Sequence, residues 1–152
     1  MRNYIVLSFC IMFFSCNKNH YENYHSFNYG CWNADSIVNF KYTITDTINK
    51  YNLRLNIRHT VDYNFQNLFL FLGEDTQDTV EIILANKSGK WRGSGISDIR
   101  EVEYVFETQR DFTKRGEYGL SVEQAMRYGE LNKIECLNHI LDVGLIVSIK
   151  HD

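Results

Sequence analysis

Not one of the 152 residues is proline. Together with abundant Asn, Lys, Ile and Tyr, that absence reads as base bias in the coding sequence and carries no functional information. It leaves the turns to Gly, Asp, Ser and Thr. No run of about 20 apolar residues exists outside the first sixteen, which excludes a second membrane-spanning helix. Basic charge is also short: 16 Lys and Arg against 19 Asp and Glu give a formal net charge of -3. A nucleic-acid binder normally shows a basic footprint, so that class is set aside. Also missing are a nucleophile elbow, a phosphate loop, a dinucleotide fingerprint and any His-x-x-x-His pair. What is present is globular in type, with 44% hydrophobic and 23% charged residues, including ten Phe and ten Tyr. The length suits one domain with its own core.

The N-terminus carries the most specific local signal. Arg2 precedes an apolar run from Tyr4 to Phe14, interrupted only by Ser8. That run has the length of a signal-peptide core and is too short for a free bilayer span. It ends at Ser15-Cys16 and gives way to Asn17-Lys18-Asn19-His20. A small residue followed directly by Cys at this point is a lipobox. The Cys16 thiol takes a diacylglycerol, the bond before it is cut, and the freed amine takes an N-acyl chain such as palmitate. Phe13 and Phe14 are bulkier than the strictest pattern. Cys10, behind Phe9, is the competing acceptor, but cutting there leaves an apolar tail. Residues 1–15 therefore read as a lipoprotein signal peptide, 16–33 as a lipidated tether without periodicity, and 34–152 as the folded domain.

Within that domain, apolar residues recur with the period of two that marks half-buried strands. Val38, Phe40, Tyr42 and Ile44 form one such row, and Leu53, Leu55 and Ile57 another. Val80, Ile82 and Leu84, then Val102, Tyr104 and Phe106, then Tyr118, Leu120 and Val122 follow. Val143, Leu145, Val147 and Ile149 close the series. The continuous run Leu68–Leu72 suggests a strand buried on both faces. Turn signals at Thr45-Asp46, Gly73-Glu74-Asp75, Lys87-Ser88-Gly89 and Lys114-Arg115-Gly116 separate the rows. Val122–Leu131 has helical propensity but continues a strand pattern, and Asn132–His139 reads as a loop or single helical turn. Seven or eight short strands without a long helix predict an all-β antiparallel sandwich of jelly-roll or immunoglobulin-like type.

Candidate chemistry is sparse. His59 ends a strand and reads as a surface or edge residue. The acidic stretch Glu74–Asp78 lacks the central Gly and terminal Glu of a calcium loop and reads as a solvated turn. Glu101 and Glu103 share a strand face about 7 Å apart, near the separation of some glycosidase carboxylate pairs; an outward solvated face is the simpler reading. Arg54, Asn56 and Arg58 form an outward row whose guanidiniums could grip a carboxylate or phosphate of a partner. A salt-bridged outer face is the alternative. Export to an oxidising compartment permits a disulfide between Cys31 and Cys136, against buried free thiols beside Trp32 and Leu137. Trp32 and Trp91 lie in apolar-periodic context and read as core.

Beyond these local signals, several segments resemble the gliding-motility lipoprotein GldH family of Bacteroidetes. They are Cys16 in its lipobox, Tyr51–Thr60 (YNLRLNIRHT), Asp62-Tyr63, Asn67–Phe71, Gly89–Gly95 (GKWRGSG) with Asp98-Ile99, and Gly116-Glu117-Tyr118. Glu123–Arg127 (EQAMR) and Asp142–Leu145 complete the set. The resemblance spans essentially the whole mature chain. It departs from the family pattern at Asn64 and Thr113, where proline is expected. The resemblance implies a membrane-anchored accessory protein of the gliding and type IX secretion machinery, contacting other envelope proteins. It implies no catalytic residues, no metal and no cofactor beyond the lipid on Cys16. Neither an acidic cluster nor an Asp follows Cys16, so an outer-membrane position facing the periplasm is expected. The alternative is a glycan-binding sandwich using aromatics such as Trp32 or Tyr63. A hydrolase built on Glu101 and Glu103 is a third, weaker alternative.

Overall fold

The structure is a computed structural model that describes residues 20–74, 77–130 and 132–150. The signal-peptide run, Cys10, Cys16, His151 and, within the acidic turn, Asp75 and Thr76 lie outside the described residues. Ten strands follow one another: β1 (Tyr21–Ser26), β2 (Cys31–Asn33), β3 (Val38–Ile44), β4 (Tyr51–Thr60), β5 (Asn67–Gly73), β6 (Gln77–Ile83), β7 (Ile99–Arg110), β8 (Gly116–Gln124), β9 (Cys136–Asn138) and β10 (Ile140–Ile149). A single 3-10 turn, Asn28–Gly30, is the only helical element among the described residues.

Two four-stranded sheets make the sandwich, in the orders β1-β10-β4-β7 and β3-β8-β5-β6, with a β2-β9 ribbon beside them. All pairings are antiparallel, and they nest. β5 pairs with β6, β4 with β7, β3 with β8, β2 with β9 and β1 with β10. The chain is thus one long hairpin, doubled back at the β5–β6 turn and rolled until its two layers face each other. That is jelly-roll connectivity, and it decides between the two sandwich types left open by the sequence. The fold is all-β, as the strand periodicity predicts.

The core follows from alternation. Val38, Phe40, Tyr42 and Ile44 are buried while Asn39, Lys41 and Thr43 are exposed. Leu53, Leu55 and Ile57 on β4, Leu68 and Leu70 on β5, and Val143, Leu145 and Val147 on β10 are fully buried in one cluster. Each such aliphatic side chain contributes roughly 1.5–3 kcal/mol on burial. Aromatic rings close one end: Phe112 meets Tyr42, Tyr51 and Tyr118 edge-on at 6.3, 5.4 and 4.7 Å.

The structure corrects four expectations. The domain does not begin at residue 34, because Tyr21–Ser26 is already a sheet strand along β10. As an edge strand it leaves most positions exposed, so no period of two is written into it. Asn132–His139 is not simply a loop, since Cys136–Asn138 pairs with Cys31–Asn33. Two-faced burial belongs to β10 rather than to Leu68–Leu72, where Phe69 and Phe71 remain partly exposed. On β10 the outer position Gly144 is roofed by the Tyr24 ring. His59 is not a surface residue: it continues the inward row of Leu53, Leu55 and Ile57 and is fully buried.

Candidate functional site

Short-range chemistry explains why β4 carries a polar outer row at all. Its inward positions from Tyr51 to Ile57 are apolar, so the intervening Arg54, Asn56 and Arg58 must share the opposite face. The register sets Arg58 opposite Glu101, and Asn56 opposite Glu103, on β7. On the other side it sets Arg58 opposite Asp142, and Asn56 opposite Gly144, on β10. The sheet therefore places three carboxylates within reach of two guanidiniums.

These groups pair with one another, while Asn56 Oδ1 is buried without a hydrogen-bond partner among the described residues. Arg58 Nη1 lies 2.9 Å from Asp142 Oδ2, and Arg58 Nε lies 3.9 Å from Glu101 Oε2. Arg54 Nε is 3.3 Å from Glu103 Oε2. The Asn56 amide donates to Glu101 Oε1 at 3.1 Å and to the Tyr24 hydroxyl oxygen at 3.0 Å. The Ser26 hydroxyl donates to Asp142 Oδ1. Burial, with smaller contributions from Glu101 and Glu22, pushes the Tyr24 hydroxyl above its ordinary pKa, although the Asn56 hydrogen bond opposes this. The arrangement is a cross-strand clasp spanning β1, β10, β4 and β7. Glu101 and Glu103, the carboxylates considered for glycoside hydrolysis, each sit against a guanidinium. The outward Arg54, Asn56, Arg58 row exists, and its cations are engaged within the sheet.

A second polar group was not visible in the sequence. Arg110 Nη1 contacts Glu74 Oε2 at 2.6 Å and Glu107 Oε2 at 2.8 Å, and its guanidinium stacks 4.5 Å over Phe112. The Tyr42 hydroxyl donates to Glu74 Oε1 at 3.1 Å. Burial and the adjacent Glu74 raise the Tyr42 pKa far above its usual range. Three separate segments supply this cluster, so no local spacing announces it.

At the opposite end of the sandwich, His59 packs on Trp91 and Tyr63, with ring centroids at 4.8 and 5.9 Å. Its Nδ1 donates to the Thr60 carbonyl at 2.8 Å, and Nε2 is buried without a partner among the described residues. Desolvation holds its pKa below the usual histidine value, with Arg100 adding to the effect. The EQAMR segment anchors the neighbouring loop. Buried Gln124 donates from Nε2 to the Ile134 carbonyl at 2.7 Å and accepts from the Met126 amide at 3.0 Å.

Cys31 and Cys136 are joined by a disulfide, with Cα atoms 5.4 Å apart, within the usual range for such a bridge. Free thiols were the alternative. Cys31, Asn33, Cys136 and Asn138 share the outer face of the β2-β9 ribbon, while the Trp32–Leu137 pair fills its inner face. Trp32 and Tyr63, the aromatics considered for sugar stacking, are 0% and 4% exposed and present no ring to a glycan. Among the described residues, no three His, Cys, Asp or Glu are grouped to hold a metal ion.

Residues 19–147 match the family model described as GldH lipoprotein. The chain belongs to the GldH lipoprotein family. One relative, the "Gliding motility lipoprotein GldH homolog" of Christiangramia forsetii, is 35% identical over 95% of this chain and 93% of its own. Another, the "Gliding motility lipoprotein GldH" of Flavobacterium johnsoniae, is 34% identical over 96% of this chain and 95% of its own. No solved structure matches. The β4 clasp, the buried His59 and the disulfide all fall within the residues matched to the GldH family model.

Proposed function

We propose that this chain is a lipid-anchored envelope protein, attached through Cys16, that serves gliding motility and type IX secretion by contacting other envelope proteins. The observation that carries the reading is the GldH family match over nearly the whole chain. That Glu101, Glu103 and Asp142 on the outer face of β4, β7 and β10 are each held against a guanidinium supports docking in place of catalysis. No cofactor is required beyond the diacylglycerol and N-acyl chains on Cys16. The membrane assigned is the outer one, with the domain in the periplasm.

Each part has its own test. Cys16→Ala releases the protein from membranes into the soluble fraction, whereas Cys10→Ala leaves it bound. Retention of the Cys16→Ala chain would sink the anchor. Deleting the gene impairs secretion or surface movement; unchanged secretion and movement would sink the role. The glycan-binding alternative has lost the residues that motivated it.

A further inference from the structure

His20, the first described residue, sits at one pole of the roll. Its amide donates to the Val147 carbonyl at 2.9 Å, its Nε2 lies 2.7 Å from the Thr43 carbonyl, and its ring meets Tyr51 edge-on at 5.3 Å. Three residues, Asn17 to Asn19, separate it from Cys16, four peptide steps in all. Whatever path they take, they span at most about 14 Å. A tether running to residue 33 would have reached about 60 Å and left the domain free to face any direction. The early start of β1 removes that freedom. Any lipid on Cys16 brings this particular pole within about 14 Å of the headgroups.

The same pole is formed by the β3–β4 loop, the β7–β8 loop and the end of β10. Ile48, at the tip of the first loop, is 89% exposed. Around it stand Lys50 and Lys150, whose backbones are bonded to each other, and the exposed Lys114 and Arg115. Asp46 and Asp111 are the acids of these loops, and Asp111 pairs with Lys50 at 3.4 Å. On the β5–β6 turn of this pole, Glu74 is engaged by Arg110. The flank of the roll is less suited to lipid, since the outer face of β4, β7 and β10 presents Glu101, Glu103 and Asp142 beside its two arginines.

We propose that the domain stands on this pole, with Ile48 and the surrounding lysines and Arg115 resting in a phospholipid headgroup surface. The strands then rise from the membrane, and the loop carrying Ile96, which is 88% exposed, is held about 30 Å farther out. This placement rests on the anchor at Cys16 proposed above. It makes the Ile96 end, and not the tether end, the one offered to protein partners. Basic residues near an anionic surface add attraction to a lipid anchor that already supplies proximity.

The test uses the full lipidated chain in phosphatidylethanolamine–phosphatidylglycerol vesicles containing a lipid with a headgroup quencher. Single fluorophores are attached through Ile48→Cys or Ile96→Cys. The expected result is loss of most of the Ile48 signal and near-complete retention of the Ile96 signal. Adding Lys114→Glu with Arg115→Glu restores signal at position 48 while the protein still floats with the vesicles. Flotation with equal quenching at both positions, or stronger quenching at 96, overturns the placement alone. Failure of the protein to float overturns the anchor, and the placement falls with it.

Discussion

Reducing the Cys31–Cys136 bridge is the perturbation with the most calculable consequence. The bond closes a loop across 105 positions, and because the pairings nest, every strand from β3 to β8 lies inside it. In the chain-entropy description, a loop of this size restricts the unfolded chain by up to about 4.7 kcal/mol. The folded state loses little on reduction, since Trp32 and Leu137 remain buried beneath the ribbon and the three β2-β9 pairs stay in place. A domain of ordinary stability holds only about 5–15 kcal/mol in total, so the bridge accounts for a large share. With a urea slope near the middle of the usual range, about 2 kcal/mol/M, the midpoint falls by about 2 M. The assay is urea unfolding of the mature protein with and without a thiol reductant, and of Cys31→Ser/Cys136→Ser. The double variant matches the reduced wild type and does not respond to reductant. Labelling of both thiols in urea without reductant, or an unchanged midpoint on reduction, would refute the reasoning.

Three further outcomes are expected. His59 is held neutral by burial, so its folded pKa lies below its unfolded value of about 6.5. Its stability cost is absent above that value and grows as pH falls through 6.5 toward the folded pKa. His59→Phe therefore flattens the loss of thermal stability between about pH 7 and pH 5, read by circular dichroism melts; an unaltered pH profile would count against it. Gly144→Ala places a Cβ 2.4 Å from Tyr24 Cε1 and lowers stability by about 1–3 kcal/mol. Adding Tyr24→Ala recovers part of that loss in a double-mutant cycle, whereas strict additivity would contradict the contact. Arg58→Ala strips Asp142, only 8% exposed, of its cation and costs about 1–2 kcal/mol. Arg54→Ala, which loses a pair with the half-exposed Glu103, costs under about 1 kcal/mol. Equal losses by urea unfolding would show that the clasp is not graded by burial.

Much of this molecule was readable one strand at a time. The rows on β3, β4, β8 and β10 were visible because a sheet buried on one face forces a period of two, and that period is local. Family membership was legible for a related reason, since YNLRLNIRHT and EQAMR are contiguous segments. The acylation proposed at Cys16 is likewise read from a short contiguous pattern.

Partnership between strands is another matter. Val38 facing Val122, or Leu53 facing Val147, is settled by which apolar faces close one core together, and no spacing in the chain encodes it. The nested pairing fixed jelly-roll over immunoglobulin-like connectivity, brought Cys31 to Cys136 and assembled Arg110, Glu74 and Tyr42 from distant segments. It also turned the outward Arg54, Asn56, Arg58 row from a candidate grip on a partner into a clasp on neighbouring strands. His59 was misplaced because its ring is polar, although its position continues the inward row. Polarity of the side chain is local information; what covers it is decided by Trp91 and Tyr63 folding back over it. By itself the sequence determined a set of amphipathic strands and offered the lipobox pattern on which the proposed anchor rests. Tertiary structure alone decided that His20 to Ser26 already belong to the roll, because only the bonds to β10, and no periodicity in an edge strand, hold those residues in place.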